Sequence, residues 1–162
     1  MFDYYRGLCK DAVKRSKASR TEQSRSNTNT LSERYHQLID LQYNHIVYSS
    51  FLPEYLRIII TRWRLSNHDL RVETGRYVRP IIPRNMRVCS ECVGTVEDEE
   101  HVLYHCPLYD DVRRSYTNLL QQYSLVTEIF NPKTVVDACQ LGKLLIDIEN
   151  VRKNLNLNVE DD

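Results

Sequence analysis

The sequence predicts a mainly α-helical fold: a small helical domain organised around one Cys- and His-rich knuckle, with short extended segments before it. Three observations predict it. Only four glycines and five prolines occur in 162 residues, which favours helices over a barrel or a sandwich. Apolar residues recur at helical spacing in several stretches, most clearly Leu141, Leu144, Leu145, Ile148, Val151 and Leu155. Three of the five cysteines fall within eighteen residues, with two histidines, His101 and His105, between the last two of them; the leading spacing is Cys89-x2-Cys92-x8-His101-x4-Cys106.

From the N-terminus, Phe2, Tyr5, Leu8, Cys9, Ala12 and Val13 predict a short helix. Apolar periodicity ends at residues 14–30, where Lys14, Arg15, Lys17, Arg20 and Arg25 oppose only Glu22. Residues 1–30 thus read as an N-terminal helix and a polar, basic, flexible linker; the same bases also suit a nuclear-import or nucleic-acid arm. The helical domain is predicted over 31–155. Thr30 and Glu33 make a capping-box pattern, and Leu31, Tyr35, Leu38, Ile39 and Tyr43 give the helix that follows an apolar side. Pro53 opens another helix, where Leu52, Leu56, Ile59, Ile60 and Trp63 share a face and mark Trp63 as core. Residues 66–77 read as a turn, a short extended piece and a bend at Gly75, where glycine supplies a conformation other residues avoid. His68 is expected to bond to local backbone rather than to a metal.

The knuckle, 89–106, comes next. A soft divalent metal takes thiolate or imidazole ligands at tetrahedral corners, and a Cys-x2-Cys turn places two sulfurs on one side of it. The eight-residue gap lets the chain return with His101 and Cys106. One structural zinc is the expected cofactor, on Cys89, Cys92, His101 and Cys106. His105 is a rival ligand, disfavoured because adjacent residues 105 and 106 would strain the backbone to reach one ion. A neighbouring acceptor is expected to hold the second ring nitrogen of His101. Pro107 suits the start of a helix, and Leu108, Val112, Tyr116, Leu119, Leu120 and Tyr123 continue it. After Phe130-Asn131-Pro132 a capped restart begins the last helix, which is expected to pack antiparallel on the post-knuckle helix. Residues 156–162 read as a disordered acidic tail.

The segments RLSNHDLRVETGRY, IPRNMRVCSEC, VEDEEHVLYHCPLYDDVR and NPKTVVDACQLGKLLIDIENVRKNL together resemble the C-terminal part of non-LTR retrotransposon polyproteins. In that family a zinc-binding domain of the reverse-transcriptase type follows the polymerase. The resemblance covers about residues 31–155 and is most specific from Arg64 to Arg113. It implies metal ligands at Cys89, Cys92, His101 and Cys106, and matches the family's His, Gly-Arg and acidic pair at His68, Gly75-Arg76 and Glu99-Glu100. The chain departs from the pattern at His105 and at Val102, where an aromatic is common. With no polymerase or endonuclease ahead of the segment, the chain is expected to be an isolated tail. The resemblance also implies a role in holding template or target nucleic acid.

Composition and motifs narrow the function classes. No apolar run approaches a membrane span, and the start, MFDYYRGLCKD, lacks the apolar core of a secretory signal. An odd cysteine count with metal-ligand spacing fits a reducing intracellular compartment, nuclear or cytoplasmic, with Cys9 and Cys139 as ordinary thiols. There is neither a Gly-rich phosphate loop nor a G-x-S-x-G turn. Tyr109-Asp110-Asp111 spells a polymerase-palm triplet, but it opens a helix rather than joining buried strands. Four protein ligands would close a zinc site against catalysis, so neither enzymatic activity nor a small-molecule substrate is expected. Residues 1–92 carry 16 Lys and Arg against 9 Asp and Glu, and residues 93–162 carry 6 against 13. Such asymmetry suits a face turned to a polyanion. Arg57, Arg64, Arg71, Arg76, Arg79, Arg84 and Arg87, with Tyr77 among them, form the expected strip for RNA or DNA. The same arginines can instead pair with the acidic run Glu97–Glu100. Three readings stay open: a zinc-stabilised nucleic-acid-binding module, a structural or protein-interaction zinc domain, and a retroelement relic without a role.

Overall fold

The computed structural model describes residues 44–157. The predicted N-terminal helix, the basic linker, the capping-box helix and all but the first two residues of the predicted tail lie outside the described residues. The chain enters the domain at Asn44. Its Oδ1 accepts the amides of Ile46 and Val47 at 2.9 and 3.3 Å, and its Nδ2 donates to Pro132 O at 3.2 Å.

Helix α1, Glu54–Arg64, follows Pro53. Proline costs nothing there, because the first amides of a helix have no intrahelical partner. The expected stripe is the buried one: Leu52, Leu56, Ile59, Ile60 and Trp63 all enter the core. Ser66, at φ 53, turns the chain out of α1. The piece expected to be extended is instead a single helical turn, α2, Arg71–Thr74. Its cause lies far off in sequence. The Glu97 carboxylate accepts the Arg71 amide at 2.8 Å, and Glu97 O accepts the Val72 amide at 3.1 Å. The start of α2 is therefore capped by the knuckle rather than by its own flank.

Beyond the knuckle, Pro107–Tyr109 form a 3₁₀ turn, followed by α3, Asp110–Ser115, α4, Thr117–Gln122, and α5, Val126–Ile129. The one helix expected over 108–123 is thus broken at Tyr116, whose φ of −123° leaves the helical region. Helix α6, Val135–Leu157, is the spine. The Thr134 hydroxyl accepts the Asp137 amide at 3.1 Å, which supplies the expected cap. Ala138, Leu141, Leu144, Leu145 and Ile148 are buried along it.

Two layers flank α6. On one side α3 and α4 run antiparallel to it, fixed by Tyr116 OH to Asp147 Oδ2 at 2.6 Å and Tyr123 OH to Asp137 Oδ2 at 2.8 Å. On the other, α1 runs parallel to it. Gly142 faces Leu56 so closely that a Cβ on Gly142 would lie 2.9 Å from Leu56 Cδ2. One helical stretch further along, Trp63 Nε1 donates to Glu149 Oε1 at 3.1 Å. The only bridged extended pieces among the described residues are Val88 and Val96, antiparallel, at the root of the knuckle.

Candidate metal centre

The knuckle is built from two local devices. The first is a tight loop over Cys89–Cys92, closed by the Cys89 amide to Thr95 O at 2.8 Å and the Thr95 amide to Cys92 O at 3.3 Å. Gly94 sits in it at φ 80° with open space around it, a conformation that favours glycine. The second is a π-helical turn, His101–His105. Asp98 Oδ1 receives the His101 amide at 3.1 Å. The turn closes with the Cys106 amide on His101 O at 2.8 Å. This wide five-residue register, often found at functional sites, sets Cys106 directly one turn beyond His101.

The two devices bring Cys89, Cys92, His101 and Cys106 together, with all four ligand atoms within 4.8 Å of one another. Cys106 Sγ lies 3.8 Å from Cys89 Sγ and 3.9 Å from Cys92 Sγ. A disulfide needs about 2.0 Å, and these cysteines are free thiols. A tetrahedron with metal–sulfur bonds of about 2.3 Å has edges of about 3.8 Å. The spacing therefore fits a metal ion. Donor chemistry fits as well. Neither Nδ1 nor Nε2 of buried His101 has a hydrogen-bond partner, a costly state that a bound cation relieves on one side. Burial lowers the His101 pKa, which favours the neutral, ligating imidazole. Burial also pushes the Cys106 thiol up to about 12, with Cys89 adding to the shift; thiolate charge in this cluster needs a cation to offset it.

Two expectations about histidine are corrected. No acceptor holds the second nitrogen of His101. His68 does not bond to local backbone: its Nε2 lies 2.8 Å from Glu99 Oε1, each side chain 1% exposed, with the Trp63 ring packed 4.8 Å away. His105 is not among the four clustered residues; its side chain is 63% exposed and lies 3.9 Å from Glu100.

Groups that no spacing rule singles out hold the knuckle to the helices. Arg113, on α3, donates to Cys106 O at 2.6 Å and to Val102 O at 3.1 Å. Arg152, on α6, pairs with Glu97 and donates to Asp69 O at 2.8 Å. Burial works against the Arg152 charge, yet the Glu97 carboxylate holds its pKa above the ordinary value. The sequence did offer one signal: a run of four acidic residues beside a thiolate cluster requires neutralising partners.

The seven arginines divide. Arg64 and Arg87 are buried and cannot meet phosphate. Arg64 donates to Asn131 Oδ1 at 3.3 Å and lies over the Tyr48 ring. Arg87 donates to Val72 O at 2.6 Å and Ile82 O at 2.8 Å. Arg76 lies 3.4 Å from Glu73 and Arg84 3.2 Å from Asp98. Arg71 and Arg79 are exposed, and Arg57 is half-buried. Asp110 and Asp111 project outward at the start of α3 and pair with Arg113 and Arg114, while Tyr109 is buried. No helix among the described residues is long and apolar enough to cross a membrane. Comparison with known protein families, curated proteins and solved structures finds no match to this chain.

Proposed function

We propose that Cys89, Cys92, His101 and Cys106 hold one structural zinc ion, and that the domain it braces is a nucleic-acid-binding module without enzymatic activity. Bound there, zinc would supply four strong ligand bonds that tie the 89–96 loop to the 101–106 turn, leaving no open coordination position. The retrotransposon resemblance supports the nucleic-acid half by analogy. One observation supports that half: all of the acidic run beside the knuckle but the exposed Glu100 is engaged within the fold. Glu97 and Glu99 are buried on Arg152, Arg71 N–H and His68, and Asp98 meets Arg84. The charges that would repel phosphate are largely consumed within the fold. Arg71 and Arg79 stay exposed and Arg57 half-buried, and Arg84, 52% exposed, reaches phosphate by leaving Asp98.

Binding that depends on these side chains is electrostatic and tolerant of sequence. The expected dissociation constant is on the order of 10⁻⁴ to 10⁻⁶ M at physiological salt. Three or four phosphate contacts on duplex give a slope of log K against log salt near −3. Titration of zinc-loaded, folded protein from low to moderate salt checks this, and flat curves at low salt remove the nucleic-acid half. A second reading, a protein-interaction domain, is favoured by one observation. Helix α1 carries exposed Tyr55 and Ile58 outside its buried stripe, with exposed Phe51 in the turn just before it, and a helix apolar on two sides ordinarily has two partners. Loss of nucleic-acid binding with zinc retained would leave that reading.

A further inference from the structure

Residues 76–81 form a loop with a built base and a bare tip. At the base, the Ile82 amide donates to Gly75 O at 3.1 Å. Arg87, only 8% exposed, spans the same closure: Nε donates to Ile82 O at 2.8 Å and Nη1 to Val72 O at 2.6 Å. Its side chain passes so near Gly75 that a Cβ there would fall 2.8 Å from its Cγ and Cδ. A buried guanidinium is thus committed to holding both ends of the loop, which pre-organises whatever the tip presents. The tip itself is left in solvent, with Tyr77 73% and Ile81 58% exposed and Arg79 exposed beside them. From Thr74 to Arg87 the chain contains no acidic residue.

An exposed aromatic ring beside an exposed arginine, on a loop held at its base, matches the needs of an unpaired base: a flat face to stack on, and a cation for the neighbouring phosphate. Duplex bases keep their faces against one another and offer no such partner. We infer that loop 76–81 grips single-stranded nucleic acid, Tyr77 stacking on an unpaired base and Arg79 meeting the neighbouring phosphate. This rests on the nucleic-acid reading above and names the ligand class and the contact residue within it.

The test uses full-length, zinc-loaded protein with two fluorescein-labelled probes, a single-stranded oligothymidylate and a blunt duplex of the same length. Tyr77→Ala is expected to weaken single-strand binding about five- to 150-fold, with duplex binding changed by less than about twofold. Tyr77→Phe keeps the stacking face and restores the affinity. Arg79→Gln lowers the single-strand salt slope by about 0.7. Trp63 is the single tryptophan and is buried, so in Tyr77→Trp an exposed indole is added to a constant background. Its fluorescence is expected to be quenched by the single strand and not by the duplex. Should Tyr77→Ala weaken neither probe, or both equally, the stacking loop is overturned while the nucleic-acid reading stands. Should the wild-type protein bind neither probe, the nucleic-acid reading falls and the loop's role falls with it. Zinc content and helical circular dichroism measured on each variant separate both results from misfolding.

Discussion

Gly75 has ordinary helical backbone, φ −62° and ψ −10°, so conformational freedom is not why glycine stands there. The reason is close approach: Arg87 Cγ and Cδ fill the space a Cβ would need, and its two hydrogen bonds keep that side chain from yielding. Gly75→Ala should therefore destabilise the fold by about 1–3 kcal/mol, the cost of overpacking, read as a lower urea midpoint. Gly94 is the reverse case, open in space but at φ 80°. Gly94→Ala should cost about 1–2 kcal/mol from the left-handed backbone alone. The two buried arginines follow the same logic. Arg64→Gln and Arg87→Gln are expected to lower the unfolding midpoint and leave the salt slope of nucleic-acid binding unchanged. A drop in slope with unaltered stability would return them to the phosphate-facing strip.

At the scale of elements, the knuckle was legible because its chemistry is written locally: two sulfurs three residues apart, a return, a histidine and a third sulfur. The buried faces of α1 and α6 were legible for a similar reason, since helical periodicity reports which side is apolar. The π-helical turn was not, because a five-residue register leaves no distinctive apolar repeat over so short a stretch. It nevertheless sets the geometry that makes His101, not His105, face the three sulfurs. His101→Ala and Cys106→Ser should each abolish stoichiometric zinc, whereas His105→Ala, removing an exposed side chain, should leave zinc content and melting temperature nearly unchanged. Metal analysis and thermal melts of the three proteins decide it; a damaging His105→Ala would mean that the wrong histidine was assigned. Ligation energy of about 10 kcal/mol or more becomes folding energy in small zinc modules. A strong chelator is therefore expected to strip amide protection from residues 88–109, followed by hydrogen exchange.

At the scale of the whole molecule, the contacts that join the knuckle to the helices are those the sequence could not disclose. His68 and Glu99 are 31 residues apart, and Arg152 and Glu97 are 55 apart; no periodicity or spacing rule pairs side chains over such distances. For the same reason the parallel seating of α1 on α6 was not foreseen, while the antiparallel seating of α3 and α4, close in sequence, was. Glu97 is the hinge of this arrangement. It caps α2 through the Arg71 amide and meets Arg152 on α6, and it stands four residues before His101. Metal occupancy and helix packing should therefore be coupled, with zinc release and loss of helical signal coinciding on heating. Arg152→Met tests the coupling. It leaves the Glu97 carboxylate buried without its charged partner, which in other proteins costs about 3–5 kcal/mol. It should also weaken zinc binding about 10- to 100-fold, as removal of outer-shell support does. Zinc should then leave, reported by a chromogenic chelator, at a lower temperature than the helices melt. Removing both charges in Arg152→Met/Glu97→Leu should recover part of the loss, because the uncompensated carboxylate is gone. If zinc leaves the wild-type protein well before the helices melt, or if Arg152→Met shifts stability without touching zinc affinity, Glu97 is a local packing contact and the coupling does not exist.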